Sequence, residues 1–333
     1  MNKITSLLLV CCLLFSCKNT SEKESEIADS IAVEEVETEE DAETPPVYKY
    51  SLAQWAIHKP IHNGTMDPMD FAEYAKGLGF TGLEYVDQLY TMDESLSFRD
   101  GVMQLAAAWK EKSDATGMEN VLIMIDRAGE LADPDVTKRK EAVEMHKVWV
   151  DAAEFINAKS LRVNLFGLTE VAAWHEASVN SLKDLSAYAA TKNINILVEN
   201  HAQLSNDASL VVKVMEAVNM ENCGTLPDFG NFCVMREGGS RWGPAPCIEE
   251  YDKYKGIEEL MAFAGGVSAK SHTFDENGDE TEIDYYRMMQ IVKDANFSGY
   301  IGIEHENKSL EEAPTEGILA TKALVIKALE AAK

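Results

Sequence analysis

Four side chains with the chemistry of metal ligands stand at the ends of four successive strand-like segments in the C-terminal half of the chain. They are Glu199, Asp228, His272 and Glu304. Three carboxylates and one imidazole form an oxygen-rich donor set, which suits Mn²⁺, Mg²⁺ or Co²⁺ better than a closed structural zinc site. We therefore predict a metal-dependent enzyme that holds one divalent ion, Mn²⁺ by preference, with Mg²⁺, Co²⁺ and Zn²⁺ as alternatives.

The predicted site would support proton transfer at carbon. Two glutamates held on opposite sides of a metal ion can remove a proton from one carbon of a substrate and return it to the same carbon or to a neighbour. The ion would stabilise the enediolate formed between the two steps. Open coordination positions would accept the oxygens of the substrate.

Each of these residues also has a simpler interpretation. Glu199 can pair with a lysine or an arginine instead of a metal, and Asp228 can hydrogen-bond its own turn. A lone histidine such as His272 is more often structural than a ligand, and Asp275 would orient either its ring or the adjoining loop. Lys270 is a substrate contact, an electrostatic partner of a ligand carboxylate or a lysine of the protein interior.

The long connection over residues 236–247 is the best candidate for a loop that covers a substrate. Trp242 offers a flat face for a sugar ring, and Arg236 or Arg241 can bind anionic or hydroxyl groups. The alternative is a surface loop that has no role in substrate binding, although long loops are often functional. Other residues expected to line the same pocket are Trp55, His58, His62, Glu84, Asn164 and Asn231.

The elements that must position these residues alternate strictly between strand-like and helical patterns. Eight such units predict parallel strands that close into a (β/α)8 TIM barrel, whose strands end on one face. An open doubly wound sheet is the alternative, but no glycine-rich dinucleotide fingerprint follows the first strand. Alternation along the last strand also predicts that His305 points away from Glu304 and Glu306. The predicted strands cover residues 49–57, 80–86, 120–125, 161–166, 195–201, 223–229, 266–274 and 299–305, and the predicted helices cover 68–78, 97–116, 134–157, 179–192, 208–219, 249–264, 282–296 and 314–331.

The N-terminal residues predict a targeting signal. Residues 1–3 give a short positive start, residues 4–15 are mostly apolar, and Ser16 directly precedes Cys17. This pattern resembles a bacterial lipoprotein signal, which implies cleavage before Cys17 and lipidation of its thiol. We therefore expect a protein of the bacterial cell envelope that is anchored to a membrane by its N-terminal lipid alone.

An acidic segment follows the signal. Residues 18–47 hold eleven acidic side chains and two lysines, so they cannot bury enough apolar surface to offset the entropy of ordering them. The whole chain carries a formal net charge of −27, and this acidity disfavours nucleic-acid partners. We predict a signal peptide at 1–16, a lipidated, disordered tether at 17–47 and a catalytic barrel at 48–333.

The cysteines do not predict a disulfide framework. Beside a lipidated Cys17, only Cys223, Cys233 and Cys247 would remain after cleavage, an odd number. Cys233 and Cys247 can pair within one loop in an oxidising compartment. We expect them instead to be unpaired small hydrophobic residues.

The order of the four candidate ligands, with His272-x-x-Asp275 and the barrel layout, resembles the sugar phosphate isomerase/epimerase superfamily of xylose-isomerase-like TIM barrels. The resemblance covers residues 48–333. It implies that Glu199 and Glu304 are both metal ligands and acid/base groups, while Asp228 and His272 complete the coordination. It is specific for the fold and the metal site, but not for the substrate.

Two departures from the family pattern concern ketose 3-epimerases. These enzymes usually carry histidine three residues after the metal aspartate, whereas this chain has Asn231, which cannot readily shuttle a proton. They also place an arginine shortly after the metal histidine, where this chain has the acidic segment 275–280. Both differences argue against epimerisation of a free ketose.

The leading hypothesis is a metal-dependent isomerase or epimerase that acts on a carbohydrate. Assembly into a homo-oligomer is left open by the sequence. The closest alternative is a lyase or hydratase that uses the same proton abstraction on a 3-keto-glycoside. A carbohydrate-binding surface lipoprotein is the alternative without catalysis. A DNA-repair nuclease is opposed by the acidic charge and by the shortage of histidines for a multi-zinc cluster.

Overall fold

A computed structural model describes residues 46–306 and 314–333 of the chain. The predicted signal peptide, the predicted lipidation site Cys17 and all but the last two residues of the predicted tether lie outside the described residues. The compact unit that contains the described elements is Pro45–Lys333. None of the helices in the described ranges is both long enough and apolar enough to span a membrane.

The described elements follow one another in strict order along the chain. The strands are β1 (Tyr48–Ala53), β2 (Gly82–Val86), β3 (Glu119–Met124), β4 (Ser160–Val163), β5 (Asn195–Glu199), β6 (Cys223–Leu226), β7 (Cys233–Arg236), β8 (Cys247–Glu250), β9 (Val267–Ser271) and β10 (Gly299–His305). The helices are α1 (His58–His62), α2 (Phe71–Gly77), α3 (Phe98–Thr116), α4 (Val136–Phe155), α5 (Val171–Ala190), α6 (Ala208–Val218), α7 (Lys253–Met261), α8 (Tyr285–Asp294) and α9 (Pro314–Ala331).

Eight of these strands form one parallel sheet in the order β6-β5-β4-β3-β2-β1-β10-β9. Between the two edge strands, Ser268 N donates to Pro227 O at 2.9 Å and Phe229 N donates to Ser268 O at 3.1 Å. These bonds nearly close the sheet, so the predicted (β/α)8 barrel is confirmed and the open doubly wound sheet is wrong. The closure also brings the ends of β5, β6, β9 and β10 to one face.

Apolar side chains from strands and helices form a continuous layer around the barrel. The largest fully buried side chains include Trp109, Trp149 and Trp174, one each from α3, α4 and α5. The strands themselves are almost wholly buried, as expected for a parallel sheet covered by helices. Strand ends at the open face are therefore where polar side chains can reach solvent.

Most predicted boundaries agree with the structure to within a few residues, and α5 is the main exception. This helix begins at Val171, whereas the prediction began it at residue 179. The Glu170 carboxylate caps it by accepting hydrogen bonds from Ala172 N and Ala173 N. Glutamate is an uncommon residue at that position, which explains why the pattern did not mark the start.

The sequence did not predict the antiparallel hairpin of β7 and β8, which lies outside the barrel sheet. The expectation that Cys233 and Cys247 are unpaired is wrong, because a disulfide joins them across the hairpin with their Cα atoms 5.8 Å apart. Cys233 lies on β7 and Cys247 on β8, so the disulfide holds together the two ends of the segment 233–247. The pairing depends on strand register, which sequence spacing alone did not reveal. Cys223 is a free, buried cysteine.

Candidate functional site

A cavity of about 1060 Å³ opens at the C-terminal ends of the barrel strands. Three of the four candidate ligands, Glu199, His272 and Glu304, line it, whereas Asp228 is fully buried behind its wall. The other predicted residues that line it are Trp55, His58, Asn164, Asn231, Arg236, Arg241, Trp242 and Lys270. Tertiary structure therefore gathers most of the predicted site into one cavity, as expected for this face of a barrel.

Lys270 lies at the centre of the carboxylates at one side of this cavity. Its Nζ atom is 2.9 Å from Glu304 Oε1, 3.3 Å from Glu306 Oε2 and 3.8 Å from Asp228 Oδ2. The lysine is 4% exposed. Of the three roles open to Lys270 from the sequence, the structure supports that of electrostatic partner.

Arg162 neutralises the remaining carboxylates from the neighbouring strand. Its Nε atom lies 2.8 Å from Glu199 Oε2, in an ion pair whose N–H is not aligned for a hydrogen bond. Its Nη1 atom donates to Asp126 Oδ1 at 2.6 Å. The interpretation of Glu199 as a partner of an arginine, left open by the sequence, is therefore the one that the structure supports.

Asn231 connects the two charged groups. Its Nδ2 donates to Glu199 Oε1 at 3.1 Å, and its Oδ1 accepts from Lys270 Nζ at 3.5 Å. The chain Glu199, Asn231, Lys270, Glu304 is thus one hydrogen-bonded and ion-paired network. We name it, together with Arg162, Asp228 and Glu306, the floor cluster.

Both carboxylate oxygens of Asp228 already have donors. Oδ1 accepts from Gly230 N at 2.9 Å, and Oδ2 accepts from the Ser268 hydroxyl at 2.7 Å. The turn-stabilising role considered for Asp228 is therefore present in the structure. Gly230 is required here, because a Cβ atom at this position would lie 2.8 Å from Lys270 Cδ and 3.2 Å from His272 Nε2.

Two hydrogen bonds hold His272 in place. Its Nδ1 lies 3.2 Å from Glu306 O, and its backbone N donates to Glu280 Oε1 at 3.2 Å. Asp275 makes no contact with the imidazole and instead accepts hydrogen bonds from Asn277 N and Asp279 N. Of the two roles suggested for Asp275, ordering of the adjoining loop is the one observed.

The four candidate ligands do not fit a divalent ion in this arrangement. Within residues 46–306 and 314–333, no group of three or more His, Cys, Asp or Glu side chains is placed to hold a metal ion. Glu304 and Asp228 face the ammonium group of Lys270, and Glu199 faces the guanidinium group of Arg162. The positive charge that these carboxylates require comes from the protein itself.

The floor carboxylates differ strongly in proton affinity. Burial raises the pKa of Glu304 to about 7, although Lys270 opposes the shift. Burial would also raise the pKa of Glu306, but Lys270 and the indole of Trp55 lower it to about 2. Two neighbouring carboxylates whose pKa values are driven apart are typical of acid/base sites.

Alternation along β10 places these residues as predicted. Glu304 and Glu306 both contact Lys270, whereas the His305 imidazole packs against Phe274 and lies beside Gly317 of α9. The Ser271 hydroxyl lies 2.9 Å from His305 Nδ1. The prediction that His305 points away from its two neighbours is confirmed.

Glu84 does not line the cavity, contrary to the prediction. It is 1% exposed in the barrel interior, where its Oε1 accepts from the Ser51 hydroxyl at 2.6 Å. Gly302 makes room for it, because a Cβ atom there would lie 2.6 Å from both carboxylate oxygens. Burial raises the pKa of Glu84 to about 8. The carboxyl is therefore protonated at neutral pH and lies below the floor cluster.

The opposite wall of the cavity is aromatic and carries the loop 236–247, which we call the flap. Trp242 is 48% exposed, with its ring centroid 4.7 Å from that of His201 and 5.8 Å from that of Phe166. Arg241 lies over Phe166 at 4.2 Å and donates to Glu130 Oε1 at 2.8 Å. The flap therefore brings an indole and a guanidinium group to the cavity, as predicted.

His201 forms the end of a polar chain in this wall. Asn164 Nδ2 donates to Asp126 Oδ1 at 2.8 Å, which leaves Asn164 Oδ1 to accept from His201 Nδ1 at 2.8 Å. Burial and the charge of Arg162 lower the pKa of His201 to about 3, so its ring is neutral. The Nε2 atom is then a hydrogen-bond acceptor available to a ligand hydroxyl.

Four other residues that were predicted to contact the substrate have structural partners. His58 stacks on Trp55 with ring centroids 4.1 Å apart, and His62 packs edge-on against both rings without lining the cavity. Trp55 donates its indole N–H to Glu306. Arg236 donates to Ala245 O at 3.1 Å, so this arginine supports the flap backbone.

Among the polar residues that line the cavity, the prediction did not single out Asp126, Arg162, His201 and Glu306, which form the ion pairs and hydrogen bonds described above. Each stands at or just beyond the C-terminal end of a barrel strand. The rule that selected Glu199 and Glu304 would have found them. Arg162 gave the clearest signal, because it is the one charged residue in the four-residue strand β4.

Three solved structures place this fold among known proteins, all at low identity. The 3-keto-D-glucoside 4-epimerase of E. coli is 13% identical, with a TM-score of 0.57, covering 84% of this chain and 98% of its own. The D-psicose 3-epimerase of Clostridium cellulolyticum is 14% identical, with a TM-score of 0.57, covering 84% and 99%. The IOLI protein, described with a bound zinc atom, is 12% identical, with a TM-score of 0.60, covering 86% and 99%.

At this level of identity the three structures show a shared fold alone. No curated protein matches the chain. The family model described as the xylose isomerase-like TIM barrel matches residues 72–329. The chain therefore belongs to the family of xylose isomerase-like TIM barrels.

Proposed function

We propose that the protein is a carbohydrate isomerase or epimerase that moves a proton at the carbon next to a carbonyl group. The observation that carries this proposal is that Glu199 and Glu304 line one cavity and belong to one network through Asn231 and Lys270. Two carboxylates that face the same bound substrate can act as base and acid in turn. The sugar epimerases among the structural neighbours support the same class of chemistry.

The reaction needs two proton transfers that the floor cluster can perform. One glutamate takes the proton from the carbon next to the carbonyl, and the bonding electrons move to the carbonyl oxygen to give an enediolate. The second glutamate returns a proton to the same carbon from the other face, which inverts that carbon. If the proton goes instead to the former carbonyl carbon, the hydroxyl proton of the first carbon passes to the former carbonyl oxygen, and the carbonyl group moves by one position. The raised pKa of Glu304, about 7, suits a group that must gain and lose a proton near neutral pH.

The opposite wall supports a carbohydrate as the substrate class. Trp242 and Phe166 offer apolar ring faces, while His201 Nε2 and the Arg241 guanidinium group offer an acceptor and donors for hydroxyl groups. Small-molecule pockets typically measure roughly 300–1,000 Å³. A cavity of about 1060 Å³ leaves room for more than one sugar ring.

The size of the cavity favours a second candidate, a lyase or hydratase that acts on a 3-keto-glycoside. The first step is the same proton abstraction, but the enediolate then expels the group at the neighbouring carbon. One neighbour acts, by its name, on a 3-keto-D-glucoside. The two candidates differ in the product, since only the lyase releases the aglycone.

The test is NMR in D₂O with a panel of ketoses and 3-keto-glycosides, using metal-free protein and protein supplied with Mn²⁺. Deuterium incorporation with an intact carbon skeleton supports the isomerase or epimerase, and release of the aglycone supports the lyase. Saturable binding without exchange across the panel would contradict both and favour a carbohydrate-binding protein. The panel decides substrate and reaction together.

We propose in addition that the protein is tethered to the cell envelope through a lipid on Cys17. The short positive start, the apolar segment and Ser16-Cys17 support this proposal. Mass spectrometry of the mature N-terminus tests it, with Cys17→Ser as the matched variant. A lipidated Cys17 and release of the variant from membranes are expected, whereas an unmodified N-terminus on a membrane-bound protein would contradict the proposal.

A further inference from the structure

We propose that the ammonium group of Lys270 is the resident cation of this site, and that the protein neutralises its floor carboxylates without a divalent metal. This inference deepens the proposed function, because Lys270 would also donate to the carbonyl oxygen of the substrate. Only the second part rests on the proposed function. The first part, that no divalent ion binds, stands on the ion pairs and can be tested without any substrate.

The position of the ammonium group is the first observation. Nζ lies within 2.9–3.8 Å of three carboxylates, Glu304, Glu306 and Asp228, which come from two different strand ends. A small divalent ion bound by the same oxygens would have to occupy this space. The side chain is 4% exposed and its stem passes beside Gly230, so it has little freedom to leave.

The inward-facing residues of β9 both lie next to the carboxylate of Asp228. Ser268 and Lys270 are two residues apart and therefore lie on the same face of the strand. Ser268 donates to Asp228 Oδ2, and Lys270 approaches the same oxygen at 3.8 Å. The Tyr285 hydroxyl donates to Lys270 O at 2.6 Å and holds the backbone at this position. Both inward residues of the strand thus serve the carboxylate of Asp228.

The charge of Lys270 is also secured. Three carboxylates, those of Asp228, Glu304 and Glu306, lie within 3.8 Å of the Nζ atom and favour its charged form. The side chain is therefore an ammonium group and not a nucleophilic amine. A second cation beside it would meet direct repulsion.

The same geometry gives Lys270 a role in the proposed reaction. It lines the cavity next to Glu304, one of the two proposed acid/base groups. As a proton leaves the substrate carbon, negative charge develops on the carbonyl oxygen. An ammonium donor fixed in advance in a buried site stabilises such charge, as in an oxyanion hole.

The first experiment measures metal binding by the full-length protein. Wild-type protein is equilibrated with Mn²⁺, freed of unbound ion and analysed by elemental analysis, with EPR titration as a second readout. We expect far less than one Mn²⁺ per chain and an unchanged melting temperature on addition of EDTA. Stoichiometric Mn²⁺ that EDTA removes with a fall in melting temperature would overturn the proposal.

The second experiment asks whether Lys270 is what keeps the metal out. Lys270→Met removes the charge and keeps the length, and it should create Mn²⁺ binding at the freed carboxylates. Lys270→Arg retains the charge and should not bind Mn²⁺. The matched control is Lys327→Met, an exposed lysine that pairs with Asp279 at 3.0 Å. Absence of Mn²⁺ from folded Lys270→Met would overturn the role of Lys270, and the wild-type measurement decides the metal question if that variant does not fold.

Activity separates this inference from the proposed function. Exchange by metal-free wild type, lost by at least about 100-fold in Lys270→Met, would support both. If no sugar of the panel exchanges while metal is absent from wild type and present in Lys270→Met, the proposed function fails and the cation role stands. Exchange that requires added Mn²⁺ would overturn the cation role and leave the proposed function intact.

Discussion

The floor cluster and the flap hold their charged side chains in different ways. In the floor, Arg162 and Glu199 are each 4% exposed and their charges meet at 2.8 Å inside the barrel. In the flap, Arg241 and Glu130 meet at the same distance of 2.8 Å but are 27% and 36% exposed. The two ion pairs therefore differ in strength despite their equal distances, because solvent screens the exposed pair and not the buried one.

This difference suggests that the floor cluster and the flap have different functions. The floor cluster rests on barrel strands, which hold acid/base groups more accurately than loops do. The flap is an excursion outside the sheet, closed by a disulfide, and it carries the exposed Trp242. We therefore expect changes in the floor to affect catalysis and stability, and changes in the flap to affect substrate binding.

The largest expected effect concerns Glu304. The substitution Glu304→Gln keeps the shape of the side chain but removes the proposed proton acceptor, so exchange from D₂O should fall by at least about 100-fold. The variant should stay folded, although the loss of the buried ion pair with Lys270 should lower its melting temperature. Glu330→Gln, an exposed change on α9, is the control. Near wild-type exchange in Glu304→Gln would remove Glu304 from the acid/base pair.

The two arginine pairs allow a direct test of the comparison. Arg162→Met leaves Glu199 and Asp126 buried without a cation, which should reduce the free energy of unfolding by about 3–5 kcal/mol. Arg241→Met breaks an exposed pair and should cost about 1 kcal/mol or less. Urea denaturation measures both. Equal losses would show that burial does not distinguish the floor from the flap.

Glu84, which lies below the floor cluster, makes the stability of the protein depend on pH. Its pKa rises from 4.5 in the unfolded chain to about 8 in the folded protein, so the folded state holds an extra proton between these values. Wild-type stability should therefore fall as pH rises from about 4.5 to about 8. Glu84→Gln should remove this contribution and be more stable than wild type by a few kcal/mol at the upper end of the window. Urea denaturation at several pH values checks this, and a constant difference between the two proteins would contradict it.

The smallest expected effect on the reaction belongs to Trp242. Removal of its ring by Trp242→Ala should raise KM for the carbohydrate by about tenfold, equivalent to about 1.4 kcal/mol, with little change in kcat. Ile248→Ala, another exposed apolar side chain in the hairpin, is the control. A fall in kcat at constant KM would place Trp242 with the floor and erase the proposed division.

Prediction from the sequence succeeded where local periodicity decides the outcome. The helix at 314–331 and the strand at 299–305 match α9 and β10 to the residue. Prediction failed where the outcome depends on contacts between distant segments. The β7–β8 hairpin and the interior position of Glu84 are of this kind.

The sequence by itself determined the barrel and the strand ends at which charged side chains gather. The reason is that strand alternation and the repeat of βα units are local properties, readable without knowledge of what lies across the barrel. Only the tertiary structure decided what neutralises those charges. Lys270 and Arg162 meet Glu304 and Glu199 because of the register between adjacent strands, β9 with β10 and β4 with β5. Three of the four potential metal ligands, Glu199, Asp228 and Glu304, are thus members of buried ion pairs.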